Sequence, residues 1–211
     1  MLTDHGKKLH GNFEKDFLWT HNVGRAESFY RFRNWMINRL LGTNIESLAE
    51  PYRIVISNNS SSDPIRNTSF EEHAVRLQRE LGKKYPLDIQ QVTLSELTMA
   101  EQVTLAARTS VFVTAAGGGA SLAHFLPRGA AVLLFFAEFP PDKKVETGAY
   151  NGWVMDWDTY NNFGYVRAHW LPLRHLGNVT SDKVADQSAA DMDVFVKLVD
   201  QELDIISHLS N

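Results

Sequence analysis

Three consecutive glycines, Gly117, Gly118 and Gly119, follow the apolar run SVFVTAA and lead into the short helix-like segment ASLAHFL. A glycine turn between a strand and a helix lets backbone amides and the helix N-terminus face an anion, as phosphate sites of open α/β sheets do. The triplet is therefore a candidate phosphate cradle, with Ser121 just inside the helix as a hydroxyl donor to a phosphate oxygen. Serine at a helix start is equally a common cap, and glycines also serve tight turns and close helix packing without any ligand. The spacing fits neither G-x-G-x-x-G nor G-x-x-x-x-G-K-[ST], which argues against a dinucleotide fingerprint and a P-loop.

The remaining chemical candidates are scattered. Glu138 follows an apolar run, where a carboxylate could accept hydrogen bonds from ribose hydroxyls or stand as an exposed loop acid. His124 could reach a phosphate from the short helix, although a helix-face histidine packed beside Phe125 fits the spacing better. Asp156 and Asp158 in MDWDTY read as two solvated turn acids rather than a metal motif, and His169 beside Trp170 reads as core, since amphipathic aromatics bury first. The eight histidines form no H-x-x-x-H or H-E-x-x-H pattern, and no G-x-S-x-G elbow is present, so neither a zinc site nor an α/β-hydrolase is indicated.

The elements that must position these groups follow from periodicity. FYRFRNWMINRLL predicts an amphipathic helix packed through Phe29, Phe32, Met36 and Leu40, with Arg31, Arg33 and Arg39 on a solvated basic face. YRIVIS predicts a strand that stops at NNSSSDP, and a helix follows from Phe70 to Leu81, ending at Gly82. Leu87 to Leu94 predicts a second strand. Thr98 and Glu101 match a capping box opening a helix from Met99 to about Arg108. SVFVTAA and AAVLLFF are apolar throughout, as strands covered on both faces should be. This alternation predicts an α/β fold, a Rossmann-like parallel sheet with flanking helices. Beyond Glu138 the aromatic stretch broken by Gly, Asn and Pro predicts loops and short strands covering one edge. Val194, Phe195, Leu198, Val199, Leu203 and Ile206 mark a C-terminal helix. The expected organisation is an N-terminal helical extension, or the remnant of an acceptor domain, over 1–50 and one Rossmann-like ligand-binding domain with a C-terminal helix over 51–211.

Composition narrows the partners. The chain has 211 residues, 44% hydrophobic and 22% charged, with a net charge of -4, and so offers no global electrostatic case for nucleic acid or an anionic membrane. Absence of cysteine removes disulfides and thiolate chemistry without assigning a compartment. MLTDHGKKLHGNFEKDF lacks an apolar signal core, and no segment approaches the roughly 20 apolar residues of a membrane span. Asn58, Asn59, Asn67 and Asn178 sit in glycosylation sequons, a weak pointer to the Golgi or endoplasmic-reticulum lumen, with targeting outside this chain.

The stretch from about Leu87 to Phe136, centred on SELTMAEQVTLAARTSVFVTAAGGGASLAHFLPRGAAVLLFF, resembles the C-terminal half of glycosyltransferase family 61. The likeness rests on Glu101 and Gln102 opening a helix, the strand Val111 to Val113, the glycine loop, and Phe125, Pro127 and Gly129 before the next strand. It covers roughly a quarter of the chain, extended faintly upstream by Ile65, Asn67 and Glu71 or Glu72. The resemblance implies the donor-binding half of a GT-B enzyme, an inverting reaction, no metal or other cofactor, a nucleotide-sugar donor and a glycan or protein acceptor. It also implies Arg66, the nearest basic residue, and Glu138 as weaker donor contacts beside Gly117, Gly118, Gly119 and Ser121. The chain departs from the family where Ala116 replaces a loop histidine, Gly118 an alanine, and Asn58, Asn59 and Asp63 stand where arginines are usual. No residue is assigned as the catalytic base. The rival expectation is a non-catalytic nucleotide-binding or interaction module that keeps the fold.

Overall fold

The computed structural model describes residues 24–43, 45, 48–58, 70–138, 159–174 and 181–209, with side chains left out at 137–138, 172–174 and 181–190. Five strands, β1 (Tyr52–Asn58), β2 (Leu87–Thr93), β3 (Val111–Ala115), β4 (Ala131–Glu138) and β5 (Arg167–Arg174), make one sheet in the order β2-β1-β3-β4-β5. Every neighbouring pair is parallel. Parallel pairing requires a crossover between successive strands, and those crossovers cover both faces. The fold is a Rossmann-like α/β arrangement, as the alternation of apolar runs and helical periods implies. The edge stretch supplies β5, a full parallel strand whose pairing partner β4 lies next to it only in space.

Alternate residues of the strands serve different cores. Ile54, Ile56, Val111, Val113, Leu133 and Phe135 face α2 (Glu71–Leu81) and α4 (Ser181–Leu209). Val55, Phe112, Val132 and Leu134 face the opposite way, onto a 3₁₀ helix (Gly118–Phe125) and the aromatic side chains Tyr160, Phe163 and Tyr165. Period-two alternation with apolar residues at both parities is what a sheet buried on both faces demands. On α4, Phe195, Val199, Leu203 and Ile206 are buried as their spacing predicts, whereas Val194 is exposed.

At α3 (Met99–Ala106) the predicted capping box is present. Thr98 Oγ1 accepts from the Glu101 amide at 3.3 Å, and the Glu101 carboxylate accepts from the Thr98 amide at 2.8 Å. Two amides that the helix cannot satisfy internally thus find partners. Thr98→Ala is expected to cost about 1 kcal/mol in urea denaturation, the usual price of a lost N-cap. An unchanged midpoint would mean that water serves the Glu101 amide equally well.

The first helix, α1 (Ala26–Leu41), forms where predicted but turns a different face inward. Phe32, Trp35 and Leu40 are exposed, while Arg33 and Ile37 are completely buried. Phe29 and Tyr30 pack onto Phe163 and Tyr165. The expectation that Arg33 lies on a solvated basic face is therefore wrong. Arg33 donates from Nε to the carbonyls of Phe125 (3.1 Å) and Leu126 (2.7 Å), from Nη2 to the Ile45 carbonyl (2.7 Å), and from Nη1 to Asn34 Oδ1 (2.7 Å). A guanidinium can be buried when its donors all find acceptors, and a cluster of carbonyls satisfies that fork.

Candidate functional site

In an open parallel sheet the crevice for ligands lies beyond the carboxyl ends of the strands, at the point where strand order reverses. Here β1 pairs with β2 on one side and β3 on the other, so the reversal falls between β1 and β3. The glycines leave β3 directly: the Ala116 amide still bonds to the Phe135 carbonyl of β4, and the chain then turns at Gly117. The glycines thus stand at the carboxyl end of β3, where the sequence puts them, and the strand order adds that this end is at the reversal.

The three glycines do different work. Gly117 has φ 130° and ψ -158°, a region essentially closed to residues with a β-carbon. Gly118 and Gly119 form the first turn of the 3₁₀ helix, which begins earlier than the segment ASLAHFL suggests. Its first bond runs from the Ala120 amide to the Gly117 carbonyl, so the amides of Gly118 and Gly119 precede any partner within the helix. A β-carbon on Gly118 would meet nothing within 4 Å, and one on Gly119 would make ordinary contacts at 3.5 Å with Leu94, 3.6 Å with Thr114 Oγ1 and 3.9 Å with Ser57 Oγ. Only Gly117 is required by the fold itself. Ser121 is exposed, the fourth residue of the 3₁₀ helix, and donates to the Gly118 carbonyl at 2.7 Å; it back-bonds within the helix rather than capping it, and would give a phosphate its proton by turning from that carbonyl.

Arg33 reaches this turn from the far end. Its acceptors Phe125 and Leu126 terminate the 3₁₀ helix, so a buried cation sits on the carbonyl end while the amide end opens onto the crevice. The helix dipole favours that polarity. Nothing in the apolar spacing of α1 reveals this, because Tyr30, Arg33 and Ile37 make a second stripe with a charge at its centre.

No protein-family model and no curated protein matches this chain. The site must therefore be read from its own chemistry.

The other sequence candidates lie elsewhere. His124 is packed against Phe29, Tyr160 and Phe163, the last at a 4.5 Å centroid distance, with Nδ1 2.8 Å from the Ser121 carbonyl oxygen. Burial lowers its pKa, with the Ser121 carbonyl opposing, as suits a neutral ring in an aromatic core. His169 and Trp170 do not form one core pair. Trp170 meets Phe136 and Tyr160 on one face, while His169 Nε2 lies 2.6 Å from Glu202 Oε1 on the other. His169 pairs with Leu133 early in β4, at a distance from the carboxyl ends. Glu138 is the last residue of β4, within the strand rather than after it. Its side chain, Arg66, Asp156 and Asp158 lie outside what is described.

Sequence reasoning missed Glu202, a buried carboxylate on α4. Arg167 Nε donates to its Oε2 at 2.6 Å beside the His169 contact. Burial pushes the Glu202 pKa up, but bonding to His169 and Arg167 outweighs it and the net shift is downward. This cluster pins α4 to β5, near the edge of the sheet. Among the described residues no group of three acidic, histidine or cysteine side chains is placed to hold a metal ion, and no helix is long and apolar enough to cross a membrane.

Proposed function

We propose that this chain is the donor-binding half of an inverting, metal-independent glycosyltransferase, holding the diphosphate of a nucleotide-sugar at Gly117, Gly118, Gly119 and Ser121. The observation that carries the reading is the position of two uncommitted helix-start amides, Gly118 and Gly119, at the strand-order reversal of a parallel sheet. The resemblance of Leu87 to Phe136 to glycosyltransferase family 61 selects a nucleotide-sugar among phosphate ligands.

In such a transfer the acceptor oxygen attacks the sugar C1 from the face opposite the diphosphate. The C1–oxygen bond to the diphosphate breaks, the acceptor proton passes to a base, and negative charge collects on the departing phosphate. Amides at a helix N-terminus stabilise that charge, because their dipoles are already oriented before it develops. The described side chains nearest Gly119 are Leu94, Thr114 and Ser57, none of which is a base near neutral pH.

Isothermal titration with uridine diphosphate and guanosine diphosphate, each with and without magnesium, tests the reading. Saturable binding without metal is expected. Gly118→Asp is the matching variant: apart from its own turn, no atom of the described residues lies within 4 Å of the added β-carbon, so the fold should persist, while a carboxylate at the amides repels the diphosphate. A loss of at least about tenfold is expected, the equivalent of about 1.4 kcal/mol. A folded chain that binds neither nucleotide, or a variant that binds as well as the parent, would overturn the assignment.

A second reading has its own observation. Ala116 stands where the family usually has histidine, which favours a nucleotide-binding module without transfer. It predicts diphosphate binding but no sugar transfer to glycan or protein acceptors.

A further inference from the structure

We propose that Ser57, the penultimate residue of β1, is a phosphate ligand that closes the anion site from the strand opposite the glycine turn. The inference rests on the reading that this turn takes a diphosphate, and it names a residue that neither the glycine pattern nor the family likeness points to.

Ser57 occupies the carboxyl end of β1, next in register after the pair Ile56 and Val113, and so stands beside Thr114 of β3. The two strands flank the reversal of strand order, and both hydroxyls lie on the face that carries the 3₁₀ helix. Ser57 is only 4% exposed. Among the described residues the buried side-chain atoms without a partner are His73 Nδ1 and Arg167 Nη2, so the Ser57 oxygen is the part of this otherwise buried residue that stays open to a ligand. Among the described residues no hydrogen bond joins the Ser57 hydroxyl to a partner, although its neighbours are accounted for: Thr114 Oγ1 donates to the Ala115 carbonyl at 3.2 Å, and Asn58 Oδ1 accepts from the Phe70 amide at 3.3 Å. Its oxygen faces the glycine turn, 3.9 Å from where a β-carbon on Gly119 would stand.

These observations combine into a site with two walls. The amides of Gly118 and Gly119 supply donors from the helix start, and Ser57 supplies a donor from the strand across the crevice. A tetrahedral phosphate accepts from several directions at once, which a single row of amides cannot provide. The probe chemistry is a phosphate of a nucleoside diphosphate, and inorganic pyrophosphate presents the same groups without the nucleoside. Thr114 is the internal contrast, because its hydroxyl is buried with its proton committed to a carbonyl, whereas the exposed Ser121 hydroxyl is free to rotate from its carbonyl towards a phosphate.

The test compares Ser57→Ala, Thr114→Val and Gly118→Asp in the full chain by titration with uridine diphosphate, pyrophosphate and uridine. Ser57→Ala should weaken uridine diphosphate and pyrophosphate by about tenfold or more, as loss of a hydrogen bond to a charged group does. It should leave any uridine binding unchanged, and Thr114→Val should leave all affinities near the parent values. The melting temperature of free Ser57→Ala should not fall, since no protein hydrogen bond is lost. If Gly118→Asp abolishes binding while Ser57→Ala binds normally, Ser57 is not a ligand and the glycine-turn reading stands. If Ser57→Ala melts several degrees lower with unchanged affinity, the hydroxyl is structural. If the parent chain binds neither diphosphate nor pyrophosphate, both readings fall together.

Discussion

Replacing Arg33 by alanine is expected to lower the stability of the chain by roughly 3–4 kcal/mol. The side chain is fully buried and its guanidinium joins three backbone carbonyls, of Ile45, Phe125 and Leu126, to α1. A hydrogen bond to a charged group contributes about 1.5–3 kcal/mol, and each buried carbonyl left without a donor adds a penalty of similar size. Partial relaxation and water entry keep the total below the plain sum. Arg33→Lys should recover only part of the loss, because a single ammonium on a flexible stem cannot reproduce a planar fork spread over Phe125, Leu126 and Ile45. Urea denaturation of parent and both variants measures this directly. A loss under about 1 kcal/mol for Arg33→Ala would mean that water replaces the guanidinium with little penalty. If the proposed diphosphate site is right, the substitution should also weaken nucleotide binding in the surviving folded fraction, since Arg33 anchors the carbonyl end of the helix whose amides form that proposed site.

The second large effect is a loss of stability in mild acid that traces to His73 on α2. Its ring sits among Phe70, Phe135 and Phe195, with centroid distances of 5.1, 5.5 and 4.9 Å, and its buried Nδ1 has no hydrogen-bond partner. Burial pushes its pKa down from 6.5 to about 4, with the neighbouring Glu72 charge opposing the shift weakly. The folded pKa is thus below the unfolded one. Stability is complete above the unfolded value of 6.5, because the ring is neutral in both states. As pH falls through the window from 6.5 to about 4 the unfolded chain takes up the proton first, and stability is lost progressively until the folded ring titrates as well. The displacement corresponds to about 3 kcal/mol. His73→Leu should remove this component while changing stability little near pH 7.5, since the ring is neutral there and its apolar neighbours accept a leucine. Denaturation midpoints at pH 7.5, 5.5 and 4 give the comparison. Parallel curves for parent and variant across that range would show that His73 is hydrated enough to titrate normally.

The geometry of α1 shows how a helical pattern can mislead. Two stripes compete on its surface: Phe29, Phe32, Met36 and Leu40 by hydrophobicity, and Tyr30, Arg33 and Ile37 by the contacts it makes. Spacing ranks the first higher, because an arginine counts against burial. The structure turns the second inward together with Phe29 from the first, since a carbonyl cluster at the end of the glycine-bearing helix offers the guanidinium acceptors that only tertiary contact can assemble. Phe32 and Trp35 consequently remain on the outside, at 46% and 59% exposure, where spacing would have buried Phe32.

What the amino-acid order determined by itself was local. The fully apolar runs in β3 and β4 required strands covered on both faces, the Thr98 and Glu101 pair set the start of α3, and three glycines after a buried strand marked the turn. Each depends on residues within one or two helical turns of one another, so their information survives in a linear reading. The strand order, the companionship of Ser57 with Thr114, the burial of Arg33 against Phe125 and Leu126, and the Glu202 contacts with Arg167 and His169 are different in kind. They join residues separated by tens of positions, and whether a polar side chain is buried depends on acceptors or donors brought from another element. The tertiary structure alone decided those, because hydrogen-bond satisfaction is a property of neighbours in space.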